Sequence, residues 1–303
     1  ELTTDIGGRL SGSPEAAKAV EWAKKKMIEA GADTVFLQEV IVPHWIRGAK
    51  EIGTIIEANG NKTNVPVCAL GNSVATPGNG ISAEVIEIND FSQLVKIGAE
   101  KIKGKIIFYN HPFDESFFNT FEAYGNAVNY RWAGPSEAAR YGAIATVCRS
   151  MTNAQDNNPH TGGMHYNDSL PEIPCCAIST NAADLLSRIL RANKSTKFFM
   201  KQECHFADSV LSYNVIGEIR GSEFPDEYVT VGGHLDSWDT GKGAHDDGAG
   251  VVQSIELIRT LKAVNIKPKR TIRAVAFMNE ENGLRGGKKY AAVAKEKNEK
   301  IVA

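Results

Sequence analysis

The sequence predicts an α/β fold: one domain built around a mainly parallel sheet, interrupted by a long β-rich insertion. Two observations predict it. From about residue 207 onward, strand and helix patterns alternate, with strands at 212–218, 227–233 and 271–278 and helices at 246–263 and 283–297. Such alternation implies a mainly parallel sheet covered on both faces. From about 46 to 205 the texture differs, with short β-rich segments divided by Gly, Asn and Pro turns. The expected organisation is therefore a first domain of 1–45 with 206–303 and a second of 46–205.

The elements follow in order. Residues 11–31 read as a helix: Ser13 suits the cap, Pro14 the first helical position, and Gly31 the end. Ala17, Val20, Ala23, Met27 and Ile28 supply its apolar face. A strand at 34–42 is expected to stop at Pro43. Within the insertion, strands are expected near 51–57, 65–70, 82–88 and 104–109. A helix at 134–141 follows, then strands near 143–148 and 174–178, a helix at 180–192 and a strand at 196–203. The polar stretch 149–172 reads as a long loop, and loops of that length in compact domains are often functional. No internal repeat is present.

Composition excludes several functions. The chain has 303 residues, 42% hydrophobic and 23% charged, with a formal net charge of −2. That balance offers no basic patch for nucleic acid or an anionic membrane surface. No apolar run approaches the ~18 residues of a membrane span. The five cysteines show no C-x-x-C spacing, which argues against a zinc ribbon or a redox motif. Cys175 and Cys176 read as buried free thiols in the run Ile-Pro-Cys-Cys-Ala-Ile. Both ends read as internal to a longer protein: the first residue is Glu, and 300–303 read as a strand beginning.

Three motifs carry chemistry. They are Gly232-Gly-His234-Leu-Asp236-Ser-Trp-Asp239, Gly243-Ala-His245-Asp246-Asp247-Gly-Ala-Gly250 and Phe277-Met-Asn-Glu280-Glu281-Asn-Gly283. Each falls at the carboxyl end of an expected strand or in the loop leading to the next helix, the rim where ligands bind in open α/β sheets. Imidazole with carboxylates suits zinc, at ligand distances of ~2.0–2.2 Å. Asp236 is placed to accept the second N–H of the His234 ring and fix its tautomer. Of each adjacent acidic pair, one member can hold metal while the other makes structural bonds or takes a proton from water. A carboxylate shared by two metals ~3.5–4 Å apart would give a paired hydrolytic site. Each motif alone has an ordinary reading: a surface histidine beside an acid, an N-cap at Asp246-Asp247, a solvated loop at Glu280-Glu281. Three in this order on one rim favour the metal site.

Together, His234-Leu-Asp236-Ser, Asp246-Asp247-Gly-Ala-Gly and Asn279-Glu280-Glu281 resemble the co-catalytic zinc aminopeptidase/carboxypeptidase family. The resemblance, which covers nearly the whole chain, implies a phosphorylase/hydrolase-like α/β/α peptidase domain and an exopeptidase using two zinc ions on short peptides or dipeptides. It assigns His234 to one zinc with Asp236 orienting it, Asp246 to both zincs, Glu281 to the second and Glu280 to acid–base work. It places an unusual peptide bond at Asp246-Asp247 and two further ligands, an Asp and a His, downstream of residue 303. The insertion 46–205 resembles a protease-associated domain, with His160 in its long loop and His245 beside Asp246 as candidate substrate contacts. A homodimer and a secreted or periplasmic location are also implied. Two related activities stay open on the same fold: a receptor-like binding protein without metal, and a single-zinc acyl transferase of the glutaminyl cyclase type.

Overall fold

A computed structural model describes all residues, Glu1–Ala303. The chain divides into two compact units, Glu1–His44 with Ala207–Ala303, and Trp45–Phe206. No helix is long and apolar enough to cross a membrane. In chain order the elements begin with α1 (Pro14–Glu29) and β1 (Thr34–Ile46). There follow β2 (Ile52–Ile56), β3 (Lys62–Val65), β4 (Val67–Ala69), β5 (Ile81–Ile88), α2 (Ser92–Ile97), α3 (Ala99–Ile102), β6 (Ile106–Tyr109), α4 (Thr120–Trp132), α5 (Gly134–Ala139), β7 (Ala145–Arg149), β8 (Cys175–Ile178), α6 (Thr180–Ala192) and β9 (Lys197–Lys201). The first unit then resumes with β10 (His205–Ile219), β11 (Phe224–His234), α7 (Ala249–Ala263), β12 (Arg270–Phe277), α8 (Arg285–Glu296) and β13 (Lys300–Ile301).

The sheet of the first unit has the order β1-β10-β12-β11-β13. It is mixed, not mainly parallel as the alternation suggests. Strand β11 runs parallel to β12 and β13, but β10 runs antiparallel to β12, with Val215 opposite Ala276. The reason is the connection. Only the turn 220–223 joins β10 to β11, and so short a link reverses the chain, whereas α7 crosses between β11 and β12 and keeps them parallel.

Helix α1 starts as its sequence dictates, with the Ser13 hydroxyl accepting from Ala16 N and Pro14 at the first turn. Its buried face is Ala16, Ala19, Val20, Ala23 and Met27, while Ala17 and Ile28 are exposed. The apolar track thus sits one residue away from the expected one at both ends. This face joins Val251, Ile255 and Ile258 of α7 on one side of the sheet, over Val215, Ile219, Ala274 and Ala276. On the other side Tyr290 of α8 packs with Ile216, Val275 and Phe277. Alternate residues of β12 therefore feed opposite layers, as the period of two requires. Pro43 does not end β1, which continues to Ile46; β1 is an edge strand, where a missing N–H costs no ladder bond.

The second unit holds an eight-stranded mixed sheet, β3-β2-β9-β5-β6-β7-β8-β4. It is less purely β than its sequence texture suggests, because helices accompany the parallel run β5-β6-β7-β8. The two ends of the order, β3 and β4, are separated in sequence by Pro66 alone, so the sheet curls until its edges meet. Gly53 marks the close approach: a Cβ there would lie 2.3 Å from a Val67 methyl. All five cysteines are buried and free.

Candidate metal centre

The strand ends of the first unit gather the acidic motifs. His234 closes β11 and lies level with Phe277, the last residue of β12. Leu235 N donates to Phe277 O at 2.6 Å, holding the two strand ends together as they leave the sheet. The loop 244–248 then returns from the rim into α7, with a cis peptide bond between Asp246 and Asp247.

The adjacent aspartates divide their work. Asp247 accepts from His234 N at 3.0 Å and from Gly250 N at 2.9 Å. It ties the end of β11 to the start of α7, the capping role expected of an acid at a helix N-terminus. Two glycines make room for it: a Cβ at Gly233 or Gly250 would come within 2.4 or 2.5 Å of its carboxylate. Asp246 turns outward. Its Oδ1 lies 2.8 Å from His234 Nε2, and its side chain is 73% exposed, open to a ligand.

Asp236 is corrected by the structure. The His234 ring presents Nδ1 to the backbone carbonyl of Asp236, at 3.0 Å, not to its carboxylate. The carboxylate, fully buried, accepts from Glu280 N at 3.0 Å and Glu281 N at 3.2 Å. In a strand-end His-x-Asp run, residues two apart share a face, but here the chain has left the strand at Leu235, and the carboxylate turns toward the neighbouring loop. Asp236 fixes that loop from a fully buried position. The loop is further held by a buried amide cluster that the sequence did not single out. Asn279, in the left-handed region at φ 67°, donates to Ser11 Oγ at 2.7 Å and Asn282 Oδ1 at 2.6 Å, and accepts from Arg285 N at 3.3 Å.

The result is a convergence of donors. One ligand atom each from His234, Asp246 and Glu281 lies within 4.8 Å of the others. Glu280 stands close by, its Oε2 3.9 Å from His234 Nε2. Burial pushes the Glu281 carboxyl up to about 8, helped by the charges of Asp246 and Asp236. Burial would lower His234, but the bond to Asp246 and the nearby carboxylates hold it at about 9. Asp246 is lowered by the same histidine, and Asp236 is raised by burial against the two amides that steady its charge. The site therefore holds more negative charge than its neighbours compensate, and it retains protons to relieve the excess. A divalent cation would relieve it better, and an imidazole with two carboxylates is a donor set that zinc accepts. The residues fit the metal.

Beside this cluster lies an apolar cavity of about 280 Å³, lined by Phe277, Met278 and Leu284 together with His234 and Glu280. His245 is exposed beside Asp246. His160 belongs to the second unit, exposed in the loop after β7, with its N–H on Ser150 Oγ at 2.9 Å.

Fold and rim chemistry together describe an α/β protein with a candidate metal-holding cluster at the carboxyl ends of its strands. Residues 214–303 match Peptidase family M28, and that part of the chain belongs to the family. It is 39% identical to carboxypeptidase Q of Xenopus laevis over 285 residues, 94% of this chain and 58% of that protein. It is 36% identical to carboxypeptidase Q of Homo sapiens, over 95% of this chain and 59% of the relative. A crystal structure of a Peptidase M28 precursor from Shewanella amazonensis SB2B superposes with a TM-score of 0.92 at 36% identity, over 97% of this chain and 66% of that one. The chain thus spans less than two thirds of the length of these relatives.

Proposed function

We propose that these residues form part of a zinc-dependent exopeptidase that hydrolyses terminal peptide bonds of short peptides or dipeptides. The observation that carries this reading is the convergence of His234, Asp246 and Glu281 on one sheet rim, with Glu280 at its side. The family and its carboxypeptidase relatives support it.

In this reading His234, Asp246 and Glu281 would hold the zinc. When bound, the ions make water acidic enough to attack at neutral pH and draw electrons from the scissile carbonyl. Glu280 takes the proton from the attacking water and hands it to the leaving amine. Asp236 fixes the backbone from which Glu280 and Glu281 project, and Asp247 fixes the end of β11 and the start of α7. His245 and His160 are assigned to substrate contact, and the unit Trp45–Phe206 to a protease-associated domain.

The test is metal stoichiometry with activity in the full-length protein. Two zinc ions per chain, with dipeptide hydrolysis abolished by chelation, supports the reading. One zinc with cyclisation of N-terminal glutamine would make it an acyl transferase. No bound metal and no hydrolysis would make it a binding protein on a peptidase fold.

A further inference from the structure

Arg9 is fully buried, and its guanidinium makes no ion pair. Its hydrogen bonds go to backbone carbonyls: Nε to Leu235 O at 2.6 Å, Nη1 to Gly7 O at 3.1 Å and Lys242 O at 2.9 Å, and Nη2 to Gly243 O at 2.9 Å. Its own N–H reaches Ser237 Oγ at 3.3 Å. One planar fork thus joins the segment before α1, the stretch directly after His234 and the loop that leads into Asp246. A buried cation satisfied by carbonyls alone is costly, and an apolar side chain of similar size would fill the space more cheaply. The charges of Asp236, Glu281 and Asp247 oppose the effect of burial on Arg9, so the guanidinium lies under the acidic rim without touching it.

We propose that Arg9 is a positioning residue for the metal centre: its fork sets the spacing between the strand end that carries His234 and the loop that carries Asp246. The inference rests on the reading of His234, Asp246 and Glu281 as zinc-holding residues. Geometry and charge pull in opposite directions here. A permanent cation near the site repels a second cation, so if Arg9 acted through its charge alone, removing it would tighten zinc binding. If it acts by holding the loops, removing it loosens the site despite the relieved repulsion.

The experiment measures zinc affinity of the full-length protein, by competition with a chromogenic chelator, for the wild type, Arg9→Lys and Arg9→Met. The visible absorption of the cobalt(II)-loaded forms is recorded alongside. Both variants are expected to bind zinc about tenfold or more weakly, the usual scale for residues that orient metal ligands, and the cobalt band is expected to shift. Wild-type or tighter zinc affinity in Arg9→Met overturns the proposal. Should Arg9→Met not fold, Arg9→Lys decides, because it keeps the charge and loses only the fork; wild-type affinity and an unshifted cobalt band there overturn it equally. A wild-type protein that binds no zinc overturns this proposal together with the functional reading, whereas unaffected variants of a zinc-binding wild type overturn this proposal alone.

Discussion

The two units perturb their titratable groups in different ways. In the unit Trp45–Phe206 the groups that burial shifts most are thiols and phenols: it pushes Cys148 and Cys204 up to about 12 and raises Tyr109, Tyr166, Cys175 and Cys176 as well, while the carboxylates of Glu84, Asp90 and Asp114 are lowered by side-chain hydrogen bonds. At their ordinary values these thiols and phenols are already mostly neutral near pH 7, so burial reinforces a state they have. At the rim of the other unit, burial together with the charges of Asp246 and Asp236 raises Glu281 to about 8, so that a carboxyl retains a proton near neutrality. Burial of neutral groups speaks of packing. A carboxyl and an imidazole held away from their ordinary values side by side at strand ends are the kind of perturbation that marks a candidate functional site.

The largest expected break in this contrast is Glu280→Gln in the full-length protein. Its kcat for dipeptide hydrolysis should fall about 10³-fold, within the range for a lost general base, while the zinc content per chain stays unchanged. Near-normal turnover would remove Glu280 from the acid–base role.

Next comes Asp236→Asn. The new amide leaves one of the two backbone N–H groups of the Glu280-Glu281 loop without an acceptor, at a cost of about 1–3 kcal/mol in stability. It should also weaken zinc binding about tenfold or more. Chemical denaturation and chelator competition check both, and a variant that loses stability but not zinc affinity would reduce Asp236 to a purely structural residue.

A smaller effect separates the units by pH. In the metal-free protein His234 is raised from 6.5 to about 9 and Glu281 from 4.5 to about 8. Both groups bind protons more tightly folded than unfolded. Their contribution to stability is complete below the unfolded values and is lost as pH rises through the folded ones. The melting temperature of metal-free protein should therefore fall by a few degrees from about pH 6 to about pH 9. Zinc, which replaces those protons, should flatten the slope. Hydrogen exchange should place the loss at the ends of β11 and β12 and leave β6, β7 and β8 unchanged. The smallest effect concerns the thiols. A disulfide reagent near pH 8 should leave all five cysteines unlabelled in the native protein and label them in denaturant, because the groups are buried.

Much of this was legible in the residues. Alternation gave the core elements of the first unit, and α6 falls at 180–192, as its pattern predicts. The three motifs that bring His234, Asp246 and Glu281 together could be located because acidic and imidazole residues at strand ends leave a short, local signature; the choice within each acidic pair came from the family resemblance. Arg9 left none: it acts on carbonyls more than two hundred residues away, and backbone acceptors carry no residue-type code. Helix α4 escaped because it buries little beyond Ala123 and Ala127, while Phe121 and Tyr124 point outward, so no apolar stripe reveals it. The Asp236 carboxylate was misdirected because spacing along a strand says nothing once the chain leaves the sheet.

Pro66 has a consequence for handling the protein. The backbone through this residue is the seam along which the curled sheet of the second unit is stitched. Nicking the chain there, or placing new termini there by circular permutation, would free β3 and β4, the two end strands of the order, to move apart and open their unpaired edges. Bare edges recruit strands from other molecules. A protease cut at this seam would therefore show itself as polymerisation, whereas a cut in the exposed turn 58–61 would leave β3 and β4 joined.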